Sequence, residues 1–196
     1  MTGGEASVEA LAAAARCATP WKNGGGVTYE IAASPPGAGL DGFDWRVSSA
    51  KVRSAGPFSS FPGIDRTLCV LSGVLRLSLS GRAPVVLHEE SPPFEFPGEA
   101  PVQAVPQGLV TDLNVMVRRG AFTAQVRHVR GPAEFEVGAA RTLLFAARPQ
   151  LVTVVGRCYA LAAGDALSLR GAHRCALLSE ATTLHVIGLA ADSRVG

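Results

Sequence analysis

The chain has 196 residues, 47% of them hydrophobic and 17% charged, with a formal net charge of +2 at neutral pH. That length suits one large domain or two small ones and buries about 70% of the extended surface. So small a charge excludes an electrostatic case for nucleic acid or an anionic membrane surface, and leaves a small molecule or another protein as partner.

Twenty-two glycines and thirteen prolines, spread without a period, suit many short strands and turns better than a helical bundle. The N-terminus carries Glu5 and Glu9 ahead of its alanine run and lacks the basic start and long apolar stretch of a signal peptide. No uncharged apolar run approaches the length of a membrane-spanning helix, so no membrane association and a cytoplasmic location are expected. Residues 7–16 read as a short alanine-rich helix, ended by Pro20. From there the signal changes to strands at residues 27–33, 44–52, 67–71 and 74–79, rich in Val, Leu and aromatic side chains and mostly bounded by Gly or Pro. Ser72 and Gly73 read as the hairpin turn between the last two. Leu75, Leu77 and Leu79 alternate with Arg76, Ser78 and Ser80, as in a strand with one wet face. Residues 91–107, rich in Pro and acidic groups, cross between strands through FEFPGEAPV. In VTDLNVMVRRG the alternation returns, with Asp112, Asn114, Met116 and Arg118 on one face and Leu113, Val115 and Val117 on the other. Residues 142–147, 151–155, 166–169 and 183–189 give weaker strand patterns. Cys17, Cys69, Cys158 and Cys175 form no CxxC pair and read as reduced core thiols.

Four stretches carry residue types suited to chemistry. In PWKNGGGVTYEI, the backbone at Gly24 and Gly25 could form an anion-binding nest with Lys22 and Asn23 at its edge, or simply a flexible turn. In FDWRVSSAKV, Arg46, Ser48 and Ala50 share a face that either lines a cavity or meets solvent. In FSSFPGIDRTLCVLSG, Arg66 lies on a row with Leu68 and Val70 and needs a partner, because a buried unpaired charge costs several kcal/mol. Candidates are the surroundings of Asp65, Asp112, or a bound carboxylate held by two parallel hydrogen bonds between walls of Phe58 and Phe61. In TDLNVMVRRG, Asp112 and Asn114 point the same way with Met116 as an adaptable apolar neighbour, although Asp112 could equally pair with Arg66 or Arg46. His88, His128, His173 and His185 show no metal-binding spacing and no GxSxG occurs, so neither metal, cofactor nor nucleophile is expected.

Taken in order, PWKNGGGVTYEI, FDWRVSSAKV, GPFSSFPGIDRTLCVLSG, FEFPGE and TDLNVMVRRG resemble the HutD family, which includes the Ves proteins. The resemblance implies an all-β, cupin-like fold of the RmlC-like jelly-roll type: a bicupin β-barrel with few short helices. It would form one compact domain over 1–196, with a pocket-bearing half at about 20–120 and a degenerate half at 121–196. Where metal-binding cupins carry two histidines and a glutamate ahead of a glycine, this chain, measured back from Gly73, has Ser59 and Phe61, or Ser60 and Pro62, and then Arg66. The resemblance further implies a link to histidine degradation and a role in binding an intermediate such as formylglutamate or urocanate, without an established reaction. It gathers Lys22, Asn23, Arg46, Arg66, Asp112 and Asn114 into one constellation. A metal-free binder of a small organic acid is the leading expectation. The alternatives are a metal-free isomerase or hydrolase with Asp112 as base, and a structural module whose charges pair internally. An exposed edge strand in the second half would make a homodimer natural.

Overall fold

Alternating apolar residues punctuated by Gly and Pro fold almost entirely as strands in the computed structural model, which describes residues 7–21 and 24–193. In chain order these are β1 (Ser7–Leu11), β2 (Ala18–Pro20), β3 (Gly26–Ser34), β4 (Trp45–Val52), β5 (Gly56–Pro57), β6 (Ile64–Leu79), β7 (Val85–Leu87), β8 (Phe94–Pro97) and β9 (Val102–Arg118). They continue with β10 (Phe122–Arg130), β11 (Ala133–Val137), β12 (Arg141–Ala146), β13 (Gln150–Val154), β14 (Arg157–Leu161), β15 (Ala166–Arg170), β16 (His173–Leu177) and β17 (Thr183–Ala191). The chain divides into two units, Cys17–Phe122 and a second made of the segment before Cys17 together with the chain from Thr123 onward. No helix among the described residues is long and apolar enough to cross a membrane.

The first unit is one bent sheet, in the order β2-β3-β4-β9-β6-β7, with β5 added to β9 and β8 to β6. Its spine is the antiparallel pair β6 and β9. Their register runs from Ile64↔Arg118 to Val70↔Asp112, slips at Ser72, and resumes from Val74↔Gln107 to Leu79↔Val102. Ser72 and Gly73 are therefore not a hairpin turn, as the sequence suggested, but an irregularity inside a single strand. Gly73 takes φ +83°, and a Cβ there would stand 2.7 Å from the Leu109 carbonyl oxygen, so the bend needs glycine. Continuity is favoured because Leu68, Val70, Leu75, Leu77 and Leu79, on both sides of the bend, join one core with Val52, Phe96, Val102 and Val110.

In the second unit, the sheets β1-β15-β12-β17-β10 and β11-β16-β13-β14 share a core that includes Leu144, Val152, Leu167, Leu169, Leu177 and Leu184, all fully buried. Here the expected N-terminal helix is replaced by β1 and one 3-10 turn, Ala13–Ala15. Tertiary pairing overrides alanine's helix propensity: β1 lies antiparallel on β15 from Ser7↔Arg170 to Leu11↔Ala166, and Val8 packs on the core. The turn is then anchored by the Ala13 N–H donating to Asp165 Oδ1 at 2.7 Å and by Arg16 donating to the Gly164 carbonyl at 2.6 Å. Strands β10, β11 and β14 each bury only one residue fully, and β16 buries His173, Cys175 and Leu177 in a run of only five, so none offers a long apolar pattern in the sequence. The expectation of four core thiols is also corrected. Cys69 and Cys175 are buried, but Cys17, ahead of β2, and Cys158, on the edge strand β14, are exposed.

Candidate functional site

Seen from β6, the alternation that buries Leu68 and Val70 also forces Arg66 inward, and it is only 5% exposed. One guanidinium nitrogen donates to the Ser59 carbonyl at 3.3 Å, while Nε is buried without a hydrogen-bond partner. Instead of a carboxylate, three phenyl rings surround the group, with Cζ 5.2 Å from the centre of Phe58, 5.5 Å from Phe61 and 5.0 Å from Phe96. Phe96 faces Arg66 across the β6–β8 ladder. Phe61 is held by its own N–H donating to the Gly98 carbonyl at 2.9 Å, in a contact so close that a Cβ on Gly98 would sit 2.6 Å from the Phe61 carbonyl oxygen. The FEFPGE segment thus supplies one ring and locks another.

Asp112 on β9 lies opposite Val70 on β6 and Ala50 on β4, and it is 3% exposed. It does not close an ion pair with Arg66: Asp112 Oδ1, like Arg66 Nε, is buried and unpartnered. Burial pushes the Asp112 carboxyl up to about 7, with the Arg66 charge and hydrogen bonding to the Ala50 backbone pulling it only part of the way back. Burial likewise draws the Arg66 guanidinium down to about 10, against the attraction of Asp112. Asn114, two residues along the same face, also has a buried, unpartnered Oδ1. Across β4, Arg46 is better satisfied, its Nε donating to Glu30 Oε2 at 2.8 Å.

These side chains border one cavity of about 500 Å³, within the usual size of a small-molecule site. Of the residues singled out in the sequence, Arg46, Ser48, Phe58, Phe61, Arg66, Asp112, Asn114 and Met116 all line it. The face of β4 that could have met solvent is therefore turned inward, and Ser48 is 2% exposed. Gly24 and Gly25 are not on the wall, and the Gly24 N–H, which a nest would need, donates to the Trp21 carbonyl in a turn. Lys22 and Asn23 lie outside the described residues. Asp65 is engaged elsewhere, by Arg119 at 2.8 Å, and does not serve Arg66.

Sequence reasoning missed Thr19, Pro20, Trp21, Thr28, Leu40, Pro57 and Ser59 on the wall, and named Ala50 only for the face it shares with Arg46 and Ser48. Trp21 lies in PWKNGGGVTYEI, and its indole N–H donates to Thr28 Oγ1 at 2.7 Å, fixing the ring at the cavity edge. The period-2 relation of Thr28 to Glu30, which reaches Arg46, was the available signal.

The sequence model of the HutD family matches residues 13–186. The chain belongs to the HutD family. A relative from Pseudomonas putida, an uncharacterized 21.2 kDa protein in the hutC 3′ region, is 36% identical over 158 residues, covering 78% of this chain and 81% of that protein. Protein Ves of Cronobacter sakazakii is 39% identical over 109 residues, 55% of this chain and 59% of Ves. Among solved structures, HutD from Pseudomonas fluorescens superposes with a TM-score of 0.83 at 29% identity, covering 95% of this chain and 100% of that one. A cupin 2 conserved barrel domain protein from Leptotrichia buccalis, at 8% identity and a TM-score of 0.55 over 85% of this chain and 89% of its own, shows the cupin-like fold alone. The HutD fold here is thus all-β and cupin-like, although the ladders among the described residues run as open sheets without closing into a barrel.

Proposed function

We propose that this HutD-family chain binds a small organic carboxylate and serves as an accessory or regulatory factor in histidine degradation, with formylglutamate and urocanate as the first ligands to try. The observation that carries the reading is the Arg66 guanidinium: buried, walled by three phenyl rings, facing a cavity, and with no carboxylate among the described residues in ion-pair contact with it. A ligand carboxylate supplies the missing counter-charge and the planar pair of acceptors that guanidinium is shaped to hold. Asn114 and Ser48 supply hydrogen bonds, and Phe58, Phe61 and Met116 the apolar wall. The polar groups on the wall include neither histidine nor cysteine, which suits a site whose positive charge comes from arginine rather than a metal. We further propose that Cys17–Phe122 is the pocket-bearing cupin-like half of a bicupin and that the other unit is the degenerate half, with one of its edge strands forming a homodimer.

Calorimetric titration of the purified protein with formylglutamate, urocanate, glutamate and histidine tests this. Saturable binding of one acid, weakened roughly ten- to a hundredfold by Arg66→Ala, supports it, since a charged hydrogen bond contributes about 1.5–3 kcal/mol. Undiminished binding by Arg66→Ala contradicts it. A second reading, a metal-free isomerase or hydrolase, is favoured by one observation: Asp112, buried at the cavity and held near 7, is poised as a general base. Product formation that Asp112→Asn abolishes would establish it.

A further inference from the structure

Asp112 presents a difficulty that the carboxylate-binding reading must resolve. Its carboxyl and the Arg66 guanidinium border the same cavity of about 500 Å³, so an anion drawn to Arg66 also approaches Asp112. Two carboxylates sharing a site that excludes water repel each other strongly unless one of them is protonated. Among the described residues no cation forms an ion pair with Asp112, and Arg66 acts on it only at longer range. From β6 it shares the cavity with Arg66, which does not reach it; the Cys69 thiol lies on the other face of that strand, and burial together with the Asp112 charge pushes it up to about 12. From β4 the cavity receives Arg46, already engaged by Glu30 of β3. Its Oδ1 accepts no hydrogen bond, which suits an atom that can hold a proton as well as a charge.

We propose that Asp112 is the protonation gate of this pocket: it takes up a proton when an organic carboxylate seats on Arg66, and its O–H then donates to an oxygen of that ligand. Resting on the carboxylate-binding reading, this deepens it in two ways. Binding becomes favoured by mild acidity although the ligand's own charge does not change. The acidic side chain also becomes a donor, so the pocket selects a carboxylate with an oxygen acceptor within reach of β9 over one that offers an N–H at that point.

The test uses N-formylglutamate, whose carboxylates stay ionised from pH 6 upward. Titration calorimetry at pH 8 in phosphate and in Tris, which differ in ionisation enthalpy, reads the number of protons taken up. With Asp112 titrating near 7 in the free protein, nearly one proton is expected at pH 8 and only a small fraction at pH 6. Affinity should be nearly flat below pH 6 and weaken about tenfold per unit above pH 7. Asp112→Asn, which mimics the protonated carboxyl in shape, should remove both the uptake and the pH dependence. Binding with equal heats in the two buffers and equal affinity at pH 6 and 8 overturns the gate and leaves the carboxylate reading standing. Failure of every pathway acid to bind at either pH overturns both.

Discussion

Replacing Asp112 by Asn should stabilise the fold, and more so as the pH rises. In the folded protein the carboxyl sits at about 7, against an ordinary value of 3.8, because burial disfavours its charge. Between those values the folded state binds the proton and the unfolded chain releases it, so the contribution of Asp112 to stability falls as pH rises through that window. About three units at about 1.4 kcal/mol each set an upper limit near 4 kcal/mol. Asparagine removes that penalty but also removes the attraction of Asp112 for Arg66, so the expected gain is ~1–3 kcal/mol at pH 8 and close to none at pH 4. For a chain of this length that is roughly 2–10 °C in melting temperature. Thermal unfolding of parent and variant, without ligand, at pH 4 and pH 8 measures it. A variant no more stable than the parent at pH 8, or a gap equal at both pH values, would refute the claim that Asp112 is held against its own charge.

His185 should act in the opposite direction. Burial, with a smaller push from His128 alongside, holds it down to about 3, so it stays neutral in the fold while the unfolded chain protonates near 6.5. Stability should fall as pH drops through that window, and His185→Gln should flatten the fall by up to ~1.4 kcal/mol per pH unit; an unchanged slope in urea titrations between pH 4 and 7 would count against it. Gly73→Ala places a Cβ 2.7 Å from the Leu109 carbonyl at φ +83° and should cost more than about 1 kcal/mol, read from the urea midpoint. Gly98→Ala should disturb the Phe61 contact and weaken carboxylate binding more than it lowers stability, a difference that parallel titration and unfolding would show.

The strands facing the cavity were legible because period-2 alternation in FDWRVSSAKV and TDLNVMVRRG fixes which side chains share a face, and both faces later prove buried. Arg66 stood out for the same reason: a cation on a row of Leu and Val demands an explanation. What the sequence could not give was direction across space. Nothing in GPFSSFPG or FEFPGE says that Phe58, Phe61 and Phe96 converge on one guanidinium, since that follows from β8 pairing with β6 and from Gly98 docking on the 61–64 loop. The β1 strand was hidden because alanine-rich segments favour helix locally, and only the edge of β15 supplies the competing ladder. The bend at Gly73 was read as a turn because glycine with positive φ serves both purposes, and continuity depends on the partner strand β9.

The measurement that bears most directly on Arg66 as the ligand's counter-charge is thermal unfolding of chelator-treated protein with and without formylglutamate, urocanate, glutamate and histidine. At a hundredfold excess over its dissociation constant a true ligand adds about 2.7 kcal/mol, or roughly 5–10 °C here. One acid raising the midpoint of the parent by that amount, and leaving Arg66→Ala unmoved, is the expected result. No shift with any acid, or an equal shift in the Arg66 variant, would contradict it.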